Sequence, residues 1–92
     1  MTIVEAISQR RKEAKTACES LVTQSIINGK FYFKVFCASV EDRKLHIEAM
    51  QVVDSEMKGS GYHLKIVVAN EKDTFFETFV IRDEAKGQAT SK

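Results

Sequence analysis

No stretch of 18 consecutive apolar residues occurs in the 92-residue chain, so no segment is expected to span a bilayer. Charge of a dominant sign is missing too: 14 Lys plus Arg face 13 Asp plus Glu, a net of +1. That balance excludes a strongly polyanionic nucleic-acid mimic and argues against a polybasic tail protein. Cysteine is scarce. Cys18 and Cys37 form no C-x-x-C pair, and no N-x-S/T sequon accompanies them. Both fall at apolar-periodic positions, where free Cys behaves as a small hydrophobe, and both are expected to be buried thiols in a reducing compartment. Met1 to Arg10 lacks the basic-then-apolar order of a signal peptide, so the chain is expected to stay where it is made.

Catalytic signatures are equally sparse. There is no G-x-S-x-G elbow and no P-loop, and Gly59-Ser60-Gly61 reads as a turn. Ser60 and His63 are close in sequence, but no third group orients the histidine. The soft metal donors are Cys18, Cys37, His46 and His63, each far from the next and without the spacing that pre-positions a zinc pair. His46-x-Glu48 on a strand places two groups on one face, too few for a site. No catalytic residue, metal or cofactor is expected, and the chain reads as a binder rather than an enzyme.

What is present suits one domain, with 43% apolar residues to place in a single core. Thr2 to Ile27 reads as one long helix. Thr2 and Glu5 have capping-box spacing, and Ile3, Ile7, Ala14, Cys18, Leu21 and Val22 form an apolar stripe. Asn28-Gly29 closes it, since Gly accepts the left-handed conformation of a helix end. Lys30 to Ala38 alternates as a strand, with Phe31, Phe33, Val35 and Cys37 opposite Tyr32, Lys34, Phe36 and Ala38. Tyr62 to Asn70 and Thr74 to Arg82, joined by a polar turn, read as an antiparallel hairpin.

Lys44 to Asp54 supports two readings. Leu45, Ile47, Ala49 and Val53 alternate as in a strand, whereas Leu45, Ala49, Val52, Val53 and Met57 would line a helix with Ile47 as the misfit. The polar turn Glu41-Asp42-Arg43 favours the strand. The fold class expected is therefore α+β: an N-terminal helix packed on a four-stranded antiparallel β-meander over residues 1–82. The alternative is α-β-α-β-β with three strands. Asp83 to Lys92 has no apolar pattern and is expected to be a flexible tail.

Two constellations favour an anionic partner. Residues 1–40 carry a net +3 and residues 41–92 a net −2, so the N-terminal part is the basic one. Arg10, Arg11, Lys12 and Lys15 crowd one stretch of the helix; Lys30 and Lys34 follow. The second constellation is a mixed strand face of Tyr32, Lys34, Phe36, His63 and Lys65. Aromatics interleaved with cations stack bases and track phosphates when such a face is open. KFYFKVF lacks the glycines of the RNP1 pattern, and sheet aromatics are most often core. Which face the helix covers stays open at this point.

Over its whole length, and through MTIVEAISQRRKEAKTACESL and KFYFKVFCASVEDRKLHIEAM in particular, the chain resembles phage-encoded anti-CRISPR proteins directed at the type I-F system. Those proteins share no common motif, so no functional residue carries over position by position. The resemblance implies a non-enzymatic inhibitor in the host bacterial cytoplasm, monomeric when free. Its partner would be the RNA-guided Csy surveillance complex, met at the spiral backbone subunits and the CRISPR RNA, where it would block target-DNA hybridisation. A near-neutral inhibitor must bind there by shape rather than as a bulk DNA mimic. The expected contact set is Arg10, Arg11, Lys12, Lys15, Lys30, Tyr32, Lys34, His63 and Lys65. Glu41, Asp42, Asp54, Glu56, Glu71 and Asp73, read as turn residues, would meet partner lysines. Two other classes remain: a free-standing RNA or single-stranded-DNA binder, and an assembly protein that associates through an exposed sheet edge or aromatic face.

Overall fold

The computed structural model describes residues 2–83, arranged as α1 (Ile3–Asn28), β1 (Tyr32–Phe36), α2 (Val40–Glu56), β2 (Tyr62–Val67) and β3 (Phe75–Arg82). The capping box at the start of α1 is present. The Thr2 N–H donates to Glu5 Oε1 at 2.8 Å, and the Glu5 N–H donates to Thr2 Oγ1 at 3.1 Å. These bonds hold the Glu5 carboxyl below its ordinary pKa, with the Thr2 backbone as the larger cause. The cap is therefore complete above the ordinary carboxylate pKa and is lost as pH falls through the lowered one. Gly29, at φ 69°, ends the helix as its Asn-Gly sequence predicts.

Ala14, Cys18, Val22 and Ser25 form the buried stripe of α1. Ile3, Ile7 and Leu21, expected in that stripe, are exposed; for the first two the reason is that Arg10 already meets Asp42 in the first turn of α2, so the earlier turns extend past the start of α2. Burial pushes the Cys18 thiol up to about 11, and its Sγ lies 3.5 Å from the His46 carbonyl. Cys18→Ser is expected to cost about 1–2 kcal/mol in denaturant unfolding, because a hydroxyl replaces a fully buried apolar contact. Cys37 is free like Cys18 but only half-buried, so the expectation of two buried thiols is met by Cys18 alone.

The four-stranded meander is corrected. Residues 44–54 lie within α2, and among the described residues the sheet has three strands, as in the alternative arrangement. The deciding local signal is Ser39-x-x-Asp42: the Ser39 hydroxyl accepts the Asp42 N–H at 3.0 Å, and Glu41 and Asp42 sit in the first turn, where the helix dipole favours acids. Arg43, read as part of a polar turn, is buried. Its Nη1 donates to the carbonyls of Asn70 (3.1 Å) and Asp73 (2.6 Å), tying α2 to the β2–β3 loop.

The strand order is β1-β3-β2, antiparallel throughout, so β3 is central and β1 and β2 run parallel on either side of it. Strand alternation sends Phe33 and Val35, Phe76, Thr78 and Val80, and Leu64 and Ile66 toward the helices. Phe76, Met50, Thr78 and Cys18 are the largest fully buried side chains. Residues 84–92, within the expected tail, lie outside the described residues. Asp83 is held by its N–H, which donates to the Gly61 carbonyl at 2.8 Å.

Candidate functional site

Because α1 and α2 cover one face of the sheet, the mixed face is the uncovered one. Register builds it in rows. Tyr32 opposes Phe79, which opposes Lys65; Lys34 opposes Glu77, which opposes Val67; and Phe36 opposes Phe75. His63, opposite Ile81, completes it near the end of β3. The Tyr32 and Phe79 rings lie 4.9 Å apart and the Phe36 and Phe75 rings 5.8 Å apart, both tilted. Lys34 Nζ stands 5.1 Å above the Phe75 ring, within cation–π range. Phe36 is 76% exposed and Tyr32 41% exposed, so these aromatics are surface residues held in a formed strand.

Polar groups fix the tips of this face. The Tyr32 hydroxyl donates to Glu77 Oε2 at 2.5 Å, and that bond, more than burial or the Glu77 charge, raises the phenol pKa. His63 Nδ1 lies 2.5 Å from Asp83 Oδ1. Ser60 is engaged with the Tyr62 backbone, so Ser60 and His63 do not form a nucleophile–base pair. Phe75, Phe79 and Ile81 were not assigned to this face from sequence; the alternation of β3 against Tyr32 and Lys34 is the signal that places them.

The basic helix residues occupy a different surface. Arg11, Lys12 and Lys15 rim a groove of about 460 Å³ between α1 and α2, with Leu45, Ala49 and Val52 beneath and Glu48 on the far wall. Arg10 donates to Asp42 Oδ1 at 3.0 Å. Lys15 reaches Glu56 Oε2 at 2.7 Å, a hydrogen bond that raises its pKa against the opposing effect of burial. Arg11 and Lys12 pair with no carboxylate among the described residues. Lys30 stands in the α1–β1 loop beside Tyr32, where its carbonyl accepts a bond from the Ser25 hydroxyl. The nine expected contact residues thus separate: Arg11, Lys12 and Lys15 line the helix-side groove, Tyr32, Lys34, His63 and Lys65 lie on the open sheet face, Arg10 is paired with Asp42 outside the groove, and Lys30 stands at the margin of β1.

The acidic turn set is also redistributed. Glu41, Asp42, Asp54 and Glu56 are helical, and only Glu71 and Asp73 remain in a loop. Asp54 accepts the Leu64 N–H at 2.8 Å, a structural tie between α2 and β2.

The metal donors, far apart in sequence, are partly brought together. One donor atom each from Cys37, Asp42 and His46 lies within 4.8 Å of the other two. Asp42 and His46 are i,i+4 on α2, a relation hidden while 44–54 is read as a strand. Cys18 and His63 stand outside this cluster.

No family model, curated protein or solved structure matches the chain. Among the described residues, no helix is long and apolar enough to cross a membrane.

Proposed function

We propose that the chain is a non-enzymatic inhibitor that binds the RNA-guided type I-F surveillance complex and blocks target-DNA hybridisation with its CRISPR RNA. The observation that supports this reading best is the uncovered sheet face, where Phe36 and Tyr32 stay exposed beside Lys34 and Lys65. Exposed aromatics flanked by cations suit a surface that buries apolar area against protein and meets nearby phosphate. The groove rimmed by Arg11, Lys12 and Lys15 supplies a second, more electrostatic contact. The resemblance stated above names the complex, and the geometry suggests how a near-neutral chain would grip it.

A target-DNA gel shift by purified type I-F complex, with and without preincubation, is the direct test. Loss of the complex's shift, with no shift by the protein alone on DNA or RNA, is the expected result; an unaffected complex would refute the proposal. Arg11→Glu combined with Lys12→Glu is expected to weaken inhibition about tenfold without unfolding, since both side chains lie off the buried stripe. Wild-type inhibition by that double variant would remove the groove from the interface.

A second reading, a free-standing RNA or single-stranded-DNA binder, draws on the Lys34–Phe75 pair and on Lys65 opposite Phe79. Salt separates the two. Direct nucleic-acid binding falls steeply as salt rises, whereas shape-driven protein binding falls much less.

A further inference from the structure

We propose that Cys37, Asp42 and His46 form a transition-metal site of zinc type at the junction of β1 and α2. The donor set is one thiol, one carboxylate and one imidazole, the mixed sulfur, oxygen and nitrogen chemistry that Zn²⁺ accepts. Their donor atoms lie within 4.8 Å of one another. Metal–ligand bonds of about 2.0–2.3 Å place tetrahedral ligands roughly 3.3–3.8 Å apart, so side-chain adjustments of about 1 Å close the set.

The backbone already aims each ligand. Asp42 and His46 lie one turn apart on α2, beginning at its capped first turn. Cys37 is delivered by the end of β1, where its N–H donates to the Thr74 carbonyl at 2.9 Å. The Ala38 N–H holds Asp42 Oδ2 at 3.0 Å, which turns Oδ1 to the His46 side, 3.5 Å from Nδ1, where it now accepts the Arg10 guanidinium. Such an outer hydrogen bond is what orients a ligating carboxylate. The side chains of Asp42 and His46 are 16% and 20% exposed, enough for an ion to enter and too little for full hydration of both.

Two contacts must be exchanged. Arg10 now neutralises Asp42 Oδ1, but its side chain is 63% exposed and is free to swing into solvent. His46 Nδ1 lies 2.9 Å from the Asp42 carbonyl oxygen; ligation through Nδ1 replaces that bond and leaves the imidazole proton on Nε2. Binding of M²⁺ by the neutral imidazole, the carboxylate and the thiol releases one proton, from Cys37, and changes no oxidation state. Three protein ligands leave a fourth position for water or for a group from a partner. The proposal is independent of the inhibitor reading.

The test is titration of the full-length, reduced protein with Co²⁺ as the probe, followed by Zn²⁺ competition. A thiolate-to-cobalt charge-transfer band saturating at one equivalent, displaced by Zn²⁺, is expected, together with a Zn²⁺-dependent rise in Tm. Cys37→Ser should lose that band, although Cys18 is retained in the variant. His46→Ala should weaken binding about 100-fold. Arg10→Ala, an exposed change that leaves the core untouched, should tighten binding severalfold by removing the competing cation. Absence of a band in both wild type and Arg10→Ala, or a band that survives Cys37→Ser, overturns the proposal.

Discussion

Phe76→Ala is expected to leave the protein largely unfolded at 37 °C. Phe76 is 0% exposed near the start of the central strand, opposite Val35, and packs in the layer that joins sheet to helices. Truncating a buried Phe costs about 3–5 kcal/mol, from lost transfer energy and from the cavity left behind. A chain of this length has roughly 5–14 kcal/mol in all, so the loss removes a large share of it. Chemical denaturation with a circular-dichroism readout checks this: a midpoint near that of wild type would mean that the core lies elsewhere.

The second large effect falls on binding. Phe36→Ala, on the same sheet but facing away from the helices, is expected to reduce affinity for the type I-F complex about 30-fold, the loss typical of an aromatic anchor worth about 2 kcal/mol. Its folding cost should be no more than about 1 kcal/mol, since Phe36 is 76% exposed and its main partner is the tilted Phe75 ring. Affinity measured by competition in the DNA gel shift, beside a denaturation curve, separates the two effects. Undiminished affinity would show that the sheet face is not where the partner sits. Phe36 opposes Phe75, one register position from Phe76, so strand alternation places Phe76 beneath the helices and Phe36 in solvent.

How far the sequence leads is clear from individual residues. The two ends of α1 were readable because capping chemistry is local: Thr2, Glu5 and Gly29 act on backbone groups within a few residues. The alternation of β1 and of the final hairpin was readable for a similar reason, since burial of one face imposes a period of two. Residues 44–54 misled because Leu45, Ile47, Ala49 and Val53 satisfy that same period while belonging to a helix. In α2, Leu45, His46 and Ile47 are all half-buried, a graded burial that neither simple template describes. Ser39-x-x-Asp42 was the better guide than the apolar pattern, because a cap is specific to a helix end. Arg43 could not be read at all. Its burial depends on two carbonyls at positions 70 and 73 that reach it through the tertiary fold.

The candidate site was legible as a list of residues and not as a surface. Tyr32, Lys34, His63 and Lys65 were grouped by alternation alone, and the fold brings them to one face. Arg10 and Lys15 were grouped by charge, yet tertiary contacts with Asp42 and Glu56 on α2 occupy them. The Cys37–Asp42–His46 cluster was invisible for a sharper reason: its geometry exists only if α2 is helical.

The central place of β3 has a consequence for the life of the chain during synthesis. Among the described residues β1 and β2 do not pair with each other, and both pair with β3, the last of these three strands to be made. Until residue 82 has left the ribosome, neither strand has its partner, and Phe33, Val35, Leu64 and Ile66 have no completed sheet on which to pack. The nascent chain can form its helices early, but this sheet closes only afterwards, when β3 pairs with β2 beside it in sequence and with the distant β1.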